Sequence, residues 1–185
     1  REYQPRDDLK SINWKATART GEFKVNQKNY TAEKSVRIFI NLEDTGILKK
    51  EDCVEASLQI ATALLLLFLE QGMQVAVYCN GVDVLHNEPC ILEAGGGIRQ
   101  REAVLRSFAL IDTSKPVRLS EASGALMTCI VSPNAYYNFA SLILQYHTRH
   151  PDMKWFLPYS GTVPPEMEEE LRSLITFISL REESV

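Results

Sequence analysis

The sequence lacks the features that define several large classes of protein. No segment resembles a signal peptide, an internal repeat or a low-complexity tract. The longest mainly apolar run, Ile60–Leu69, is well short of the roughly 18 residues that a membrane-spanning helix needs. We therefore expect this stretch of chain to be soluble. Because it begins at Arg1 and not at methionine, we also expect it to be a fragment of a longer protein.

Cysteine and histidine do not form a recognisable metal or disulfide framework. The cysteines contain no C-x-x-C pair, and no histidine accompanies them in a zinc-ligand pattern. They are Cys53, Cys79, Cys90 and Cys129. Each has an apolar neighbour, which is typical of a core thiol in a cytosolic protein. The pattern favours reduced thiols over a disulfide or a zinc site.

The motifs of common enzyme classes are also missing. There is no G-x-S-x-G nucleophile elbow, and neither G-K-[ST] nor G-x-G-x-x-G accompanies the Gly95–Gly97 run. The three histidines, His86, His147 and His150, have no carboxylate-rich motif beside them. We therefore predict that the protein is not an enzyme, has no catalytic residues and takes no cofactor.

Charge is spread unevenly along a chain whose net charge is −4. Residues 1–37 carry nine Lys/Arg and five Asp/Glu, which gives +4 and leaves −8 for the rest. Such asymmetry indicates that the basic arm either lies on the acidic domain or meets an acidic partner. The sequence pI near 5.5 argues against nucleic acid as a partner.

What is present is a strong strand signal at Ser35–Gly46, which reads SVRIFINLEDTG. Its β-branched residues alternate and then give way to a polar loop with Asp, Thr and Gly, as at the end of a strand. A long helical pattern follows, so this strand is predicted to be parallel and central in an α/β sheet. In such sheets ligands bind beyond the carboxyl ends of the strands, which places a candidate site in this loop.

The remaining patterns predict alternating strands and helices. The predicted elements are a helix from Glu51 to Gly72, a strand Gln74–Cys79, a hairpin turn at Asn80-Gly81, an antiparallel strand Val82–His86, a helix Ile98–Leu110, a strand Leu126–Val131, a helix Pro133–His147, a strand Lys154–Leu157 and a final helix from Pro164 to Ile178. The fold class is therefore α/β, a doubly wound, mostly parallel sheet with one antiparallel edge strand. Residues 35–185 form this domain, and residues 1–34 form an N-terminal helix–strand arm.

The arm carries a long motif. It resembles the pattern R-x-Y-x-x-G-D-x-x-R-x-I-x-W-x-x-x-A-R of the bacterial Domain of Unknown Function 58 family. The matching residues are Arg1, Tyr3, Asp7, Ile12, Trp14, Ala18 and Arg19. Arg6 and Lys10 stand where the pattern has Gly and Arg. We interpret the motif as structural, with Asp7 or Asp8 pairing with Arg19 or Arg1 and with Trp14 packing the arm down.

The resemblance implies a fold and a setting, although the family name assigns no activity. The implied fold is a von Willebrand factor A-like, Rossmann-like domain. The implied full-length protein is anchored by transmembrane helices, with this part on the cytoplasmic face of the membrane. Members of the family are often encoded beside MoxR-type AAA ATPases, so such an ATPase is the expected protein partner.

Von Willebrand factor A domains often hold Mg²⁺ through D-x-S-x-S after the first strand, and this sequence departs from that pattern. Asn41 stands at the acidic position, and Glu43 and Thr45 stand at the two Ser positions. We therefore predict no bound metal. The alternative is a divalent-metal-dependent ligand-binding domain in which Glu43 and Asp44 supply the charge.

A contact surface is predicted from three loops that we expect to share one face. Its candidate binding residues are Asn41, Glu43, Asp44, Thr45, Gly96, Gly97, Ser132 and Asn134. The Gly95–Gly97 run could present backbone N–H groups to an anion, but a tight turn is the favoured interpretation. The first hypothesis is therefore a non-catalytic protein-interaction module, the second is the metal-dependent alternative, and the third is a hydrolase or nucleotide-binding protein.

Overall fold

Seven strands form one mixed sheet in the larger part of the chain. The computed structural model describes residues 17, 19, 21–24, 35–43, 51–114, 116 and 127–180. The chain divides into two units, Arg1–Glu33 and Lys34–Val185. The elements of the second unit are β1 Ser35–Ile40, α1 Glu51–Glu70, β2 Gln74–Asp83, β3 Pro89–Gly95, α2 Gly97–Phe108, β4 Ile111–Asp112, β5 Met127–Val131, α3 Tyr137–Arg149, β6 Met153–Ser160, α4 Glu169–Arg172 and β7 Ile175–Leu180.

The order of the strands is β3-β2-β1-β5-β6-β7, and β4 pairs with β2. Strands β1, β2, β5, β6 and β7 pair in parallel, whereas β3 and β4 pair antiparallel with β2. β1 lies between β2 and β5, which confirms the prediction of a central parallel strand at Val36–Ile40. The predicted α/β class, a mostly parallel Rossmann-like sheet, is confirmed as well.

The side chains of β1 explain why helices are needed on both faces of the sheet. Val36, Ile38 and Ile40 belong to a core cluster that also contains Leu65 of α1. Phe39 points to the opposite face and packs with a second cluster around α3 and β6. Because successive strand residues alternate between faces, an apolar strand of this kind is stable only when both faces are covered.

Among the residues that the structure describes, α1 is the one helix long and apolar enough, by length and composition, to cross a membrane. Ala61 and Leu65 of this helix are almost fully buried in the cluster with β1. Glu51 and Glu70, at its two ends, are exposed. A core helix passes the same test of composition. α1 packs on the sheet through one face, whereas Leu67 on another face is 48% exposed.

The predicted hairpin turn at Asn80-Gly81 is wrong, and so is the antiparallel strand Val82–His86. β2 continues through both residues to Asp83, and the antiparallel partner is β3. The chain turns after Asp83, whose Oδ1 accepts a hydrogen bond of 2.7 Å from the Leu85 N–H. Asn87 closes the turn with a φ of 57°, a conformation that Asn tolerates better than most residues.

Gly81 is required for packing inside a strand and not for a turn. A Cβ at this position would overlap the Ile111 Cγ2 of β4 and would lie 2.9 Å from the Leu42 Cδ1. A glycine within a strand often marks such a close approach of a neighbouring element. Gly81 therefore allows Ile111 and Leu42 to pack closely against the strand, which local sequence patterns do not reveal.

The predicted final helix from Pro164 to Ile178 is also wrong. The helical part is limited to α4, and the chain then forms β7 beside β6. Leu171 and Leu174 bury their side chains in the second core cluster, and the β-branched residues after them favour a strand. The Pro and Glu residues indicated a helix start too early in the chain, because residues 164–168 are not helical and α4 begins at Glu169.

The few described residues of the first unit include the end of a helix. Thr17 and Arg19 are helical, and the Gly21 N–H donates a hydrogen bond of 2.9 Å to the Thr17 carbonyl oxygen. Gly21 has a φ of 74°, as is common just after a helix. Arg19 is exposed. The other motif residues, Arg1, Tyr3, Asp7, Asp8, Ile12 and Trp14, lie outside the described residues.

The role of Gly81 predicts the effect of adding one methyl group. Gly81→Ala should lower the free energy of unfolding by about 1–3 kcal/mol, because the new Cβ must displace Ile111 or Leu42. Urea denaturation measures the difference. Gly96→Ala is the matched control, since its Cβ would meet nothing closer than the Met73 carbonyl oxygen at 3.9 Å. Equal effects of the two substitutions would contradict this account of Gly81.

Candidate functional site

The candidate site lies at the carboxyl edge of the sheet, where the parallel strands end together. Asn41 follows β1 directly, Asn80 lies near the end of β2, and Ser132 follows β5. Because β1 lies between β2 and β5, the Asn41 side chain has a polar neighbour on each side. This is the position at which open α/β sheets bind ligands.

Asn41 is hydrogen-bonded to both neighbours. Its Oδ1 accepts a bond of 2.7 Å from the Asn80 Nδ2, and its Nδ2 donates a bond of 3.0 Å to the Ser132 Oγ. The same Oδ1 accepts a second bond of 3.2 Å from the Glu43 backbone N–H. A backbone N–H can only donate, so it fixes which atom of the amide is the oxygen.

Two further bonds extend these contacts into the loops. The Asn80 Oδ1 accepts a bond of 2.7 Å from the Leu42 N–H. The Ser132 Oγ also accepts a bond of 3.1 Å from the Asn134 N–H, and the Asn134 Oδ1 accepts one from the Tyr136 N–H. We call the side chains of Asn41, Asn80, Ser132 and Asn134 the strand-end network.

The strand-end network leaves little capacity for an additional ligand. The Asn41 Oδ1 and the Ser132 Oγ each accept two hydrogen bonds, so both lone pairs of each oxygen are engaged. A cation at either oxygen would have to break one of these bonds. Mg²⁺ prefers carboxylate and water oxygens in an octahedral arrangement, and these side chains are uncharged.

Burial separates the predicted binding residues into two groups. The side chains of Ser132 and Asn134 are buried, so a partner cannot reach them without moving the loop. Asn41 is half-buried, and Glu43 is exposed. Asp44 and Thr45 lie outside the described residues. Ser132 and Asn134 therefore have a structural role at the edge, whereas the Glu43 side chain is accessible to a partner.

Gly96 and Gly97 do not lie on this face, and the prediction that they share it is wrong. β3 runs antiparallel to β2, so Gly95 pairs with Val75 at the start of β2, at the opposite edge of the sheet. Gly97 has a φ of 68°. The Gln100 Nε2 donates a bond of 2.7 Å back to the Val75 carbonyl oxygen. The run therefore forms a tight turn, as the favoured interpretation predicted.

Exposed apolar side chains follow three of the parallel strands at the carboxyl edge, which the sequence patterns did not predict. Their exposed fractions range from 49% to 75%, and they come after β2, β5 and β6 in the chain. They are Val84, Leu85, Tyr136, Tyr137 and Val163, and we call them the carboxyl-edge patch. The Tyr136-Tyr137 pair was the available signal, but such pairs at a helix start are more often packed.

An open cavity of about 590 Å³ lies beside the end of β1. Its lining combines apolar side chains with carboxylates and comprises Leu42, Glu43, Glu51, Val54, Glu55, Leu58, Thr113, Ser114 and Pro116. No three His, Cys, Asp or Glu side chains converge to hold a metal within the described ranges. The chemistry of this lining suits a cationic group better than an anionic one.

Comparison with known proteins gives one match. A family model described as "Protein of unknown function DUF58" matches residues 1–128, more than half of the chain. No curated protein matches the chain. The matched span includes Asn41 and Asn80, whereas Ser132 and the tyrosines of the carboxyl-edge patch follow it.

The strand-end network predicts a measurable loss of stability when one amide is removed. Asn80→Ala leaves the buried Leu42 N–H without its acceptor and the Asn41 Oδ1 without one donor. The free energy of unfolding should fall by about 1–3 kcal/mol, as measured by urea denaturation. Asn138→Ala, on the exposed face of α3, is the control and should change it by no more than about 0.5 kcal/mol. A neutral Asn80→Ala would mean that these bonds do not hold the edge.

The engaged oxygens also predict the response to magnesium. Millimolar Mg²⁺ should leave the Tm unchanged relative to NaCl of equal ionic strength, because a ligand must bind the folded state to raise the Tm. Differential scanning calorimetry measures this. An increase in the Tm that Glu43→Ala abolishes would show instead that Glu43 helps to bind the ion.

Proposed function

The chain belongs to the DUF58 family, and from this premise we propose that it is a non-catalytic protein-interaction module. The proposed contact surface is the carboxyl-edge patch. The observation that carries the proposal is that exposed apolar and aromatic side chains follow β2, β5 and β6, while the strand-end network satisfies its own hydrogen bonds. Aromatic side chains are enriched at protein interfaces, where they bury a large area at a small cost in entropy.

The patch is held in place by its supporting hydrogen bonds. The bond from the Tyr136 N–H to the Asn134 Oδ1 fixes the loop that presents Tyr136 and Tyr137. Asp83 fixes the turn that presents Leu85, and the Leu85 N–H lowers the pKa of that carboxyl group. A surface that is already ordered loses less entropy when it binds.

The extent of the patch favours a protein over a small molecule. Its members follow β2, β5 and β6, and three inter-strand spacings separate β2 from β6. At about 4.8 Å per spacing, the patch reaches about 15 Å across the edge. Exposed side chains spread over this width suit a protein surface, whereas small ligands are usually enclosed in a pocket.

A non-catalytic role is supported by the state of the potential nucleophiles. The Ser132 hydroxyl oxygen is buried and already accepts two hydrogen bonds. Burial raises the pKa of the Cys79 thiol to about 12 and that of Cys129 to about 11, so the reactive thiolate is scarce at neutral pH.

For the partner, we propose a MoxR-type AAA ATPase, met at the cytoplasmic face of the membrane by a membrane-anchored full-length protein. The support for this step is the family resemblance, since such ATPases are often encoded beside family members. The carboxyl-edge patch supplies exposed apolar and aromatic side chains for this contact.

A second candidate is a divalent-metal-dependent ligand-binding domain, in which Glu43 and Asp44 supply the charge. Glu43 lines the cavity with two further carboxylates, Glu51 and Glu55, but these three do not converge on one point. In this case the ion would be held by carboxylates beside the strand-end network and not by the amides. The Tm measurement with Mg²⁺ distinguishes this candidate from the first.

The proposal predicts which substitutions weaken binding to the ATPase. Leu85→Ala and Tyr137→Ala should each raise the Kd at least about tenfold, as truncation of a central interface residue commonly does. Biolayer interferometry with a MoxR-type ATPase from the same organism measures this. Ile98→Ala and Leu142→Ala are the matched controls, because both side chains are equally exposed but lie outside the patch.

The variants test the proposed surface, and the unmodified protein tests the proposed partner. A loss confined to the two patch variants supports the proposed surface. Equal losses in the control variants would contradict it. If the unmodified full-length protein does not bind the ATPase at all, the proposed partner is wrong.

A further inference from the structure

Two cysteines lie directly opposite each other on adjacent antiparallel strands. Cys79 of β2 pairs with Cys90 of β3, and both belong to the same core cluster. Their side chains therefore point to the same face of the sheet. Directly opposed residues in an antiparallel pair have Cα atoms about 4.5–5.5 Å apart, which falls inside the range of about 4.4–6.8 Å seen for disulfides.

Cys129 is similar to this pair in burial but has a different position. It pairs with Ile38 of β1, whereas Cys79 pairs with Ile40 on the other side of β1. Two strand spacings therefore separate it from Cys79, about 10 Å. Cysteines with Cα atoms more than about 7 Å apart cannot be bridged unless the backbone moves. Cys129 is thus a natural control within the same core.

We propose that Cys79 and Cys90 form a reversible cross-strand disulfide when the protein meets a low-molecular-weight disulfide such as oxidised glutathione. The argument for this modification site does not rest on the proposed protein-binding function. It covalently joins the edge strand β3 to β2.

The reaction proceeds in two exchange steps that balance. The Cys90 thiolate attacks one sulfur of the oxidant, so a mixed disulfide forms and one glutathione thiolate leaves and is protonated. The Cys79 thiolate then attacks the Cys90 sulfur and expels the second glutathione thiolate. Two protein thiols are oxidised to one disulfide, and one oxidised glutathione is reduced to two thiols.

Cys90 is assigned the first step because it lies on the edge strand. β3 has no strand on its outer side among the described residues, and Cys90 is slightly more exposed than Cys79. Burial raises the pKa of Cys90 to about 11 and that of Cys79 to about 12. The thiolate fraction is therefore small at pH 7, and the rate of oxidation should rise about tenfold from pH 7 to pH 8.

Formation of the bond should stabilise the edge of the sheet. The disulfide would close a short loop that contains the end of β2 and the Asp83 turn. Closing a short loop restricts the unfolded chain, so the oxidised protein should show an increase in the Tm of about 5–10 °C. Dithiothreitol should reverse the increase.

The test is to incubate the folded protein with oxidised glutathione at pH 8, quench with acid, alkylate under denaturing conditions and map the peptides by mass spectrometry. We expect two thiols to be lost and one peptide pair, joined through Cys79 and Cys90, to appear. Retention of all four thiols, a stable glutathione adduct on Cys90, or a bond that involves Cys129 would overturn the proposal.

Variants give a second, independent readout. Cys129→Ala should still gain the disulfide and the increase in the Tm, whereas Cys79→Ala and Cys90→Ala should gain neither. Circular dichroism before oxidation establishes that each variant is folded. If a variant does not fold, the peptide map of the unmodified protein still decides the proposal. A rise in the Tm of oxidised Cys90→Ala would contradict it.

Discussion

The two hydrogen bonds that join the Asn41 side chain to β2 and to the loop after β5 are the constraint on which the carboxyl edge depends. An amide suits this position because it accepts from the Asn80 Nδ2 and donates to the Ser132 Oγ at once. A carboxylate at the same place can only accept, so it could not donate to the Ser132 Oγ. The neutral amide therefore bonds to both neighbours with no added charge. The ends of three adjacent strands are thereby fixed relative to one another.

These hydrogen bonds limit what the edge can bind. Among the described residues, the polar atoms of the strand-end network are satisfied, and the accessible groups include the apolar and aromatic side chains of the carboxyl-edge patch and the carboxylates around the cavity. The apolar groups bind by loss of hydrated surface, whereas the carboxylates contribute mainly to orientation and to the rate of association. Accessible apolar side chains beside strand ends that are fixed by hydrogen bonds are features of a recognition surface. This physical arrangement links the fold to the proposed function.

The central part of the fold could be predicted from the sequence because its signals are local and repeated. The alternation at Val36, Ile38 and Ile40 identifies a strand, and the long apolar helix after it requires a parallel crossover. The placement of Gly96 could not be predicted, since it depends on the direction of β3 and hence on where β2 turns back. That turn was placed at Asn80-Gly81 because the dipeptide is a strong local signal. In the fold Asn80 is instead held by Leu42 and Asn41, contacts that are distant in sequence.

The residues on which the two proposals depend are neighbours at the end of β2. Cys79 lies opposite Cys90 in the core, and the next residue, Asn80, joins the strand-end network. The Gly81 N–H lies 3.4 Å from the Cys79 Sγ, so the sulfur and the backbone beside the network already interact. A bond formed at Cys79 would restrict the backbone that positions the Asn80 amide. Asn80 is also hydrogen-bonded to Leu42 and Asn41. Oxidation of Cys79 and Cys90 should therefore affect the order of the carboxyl edge through β2.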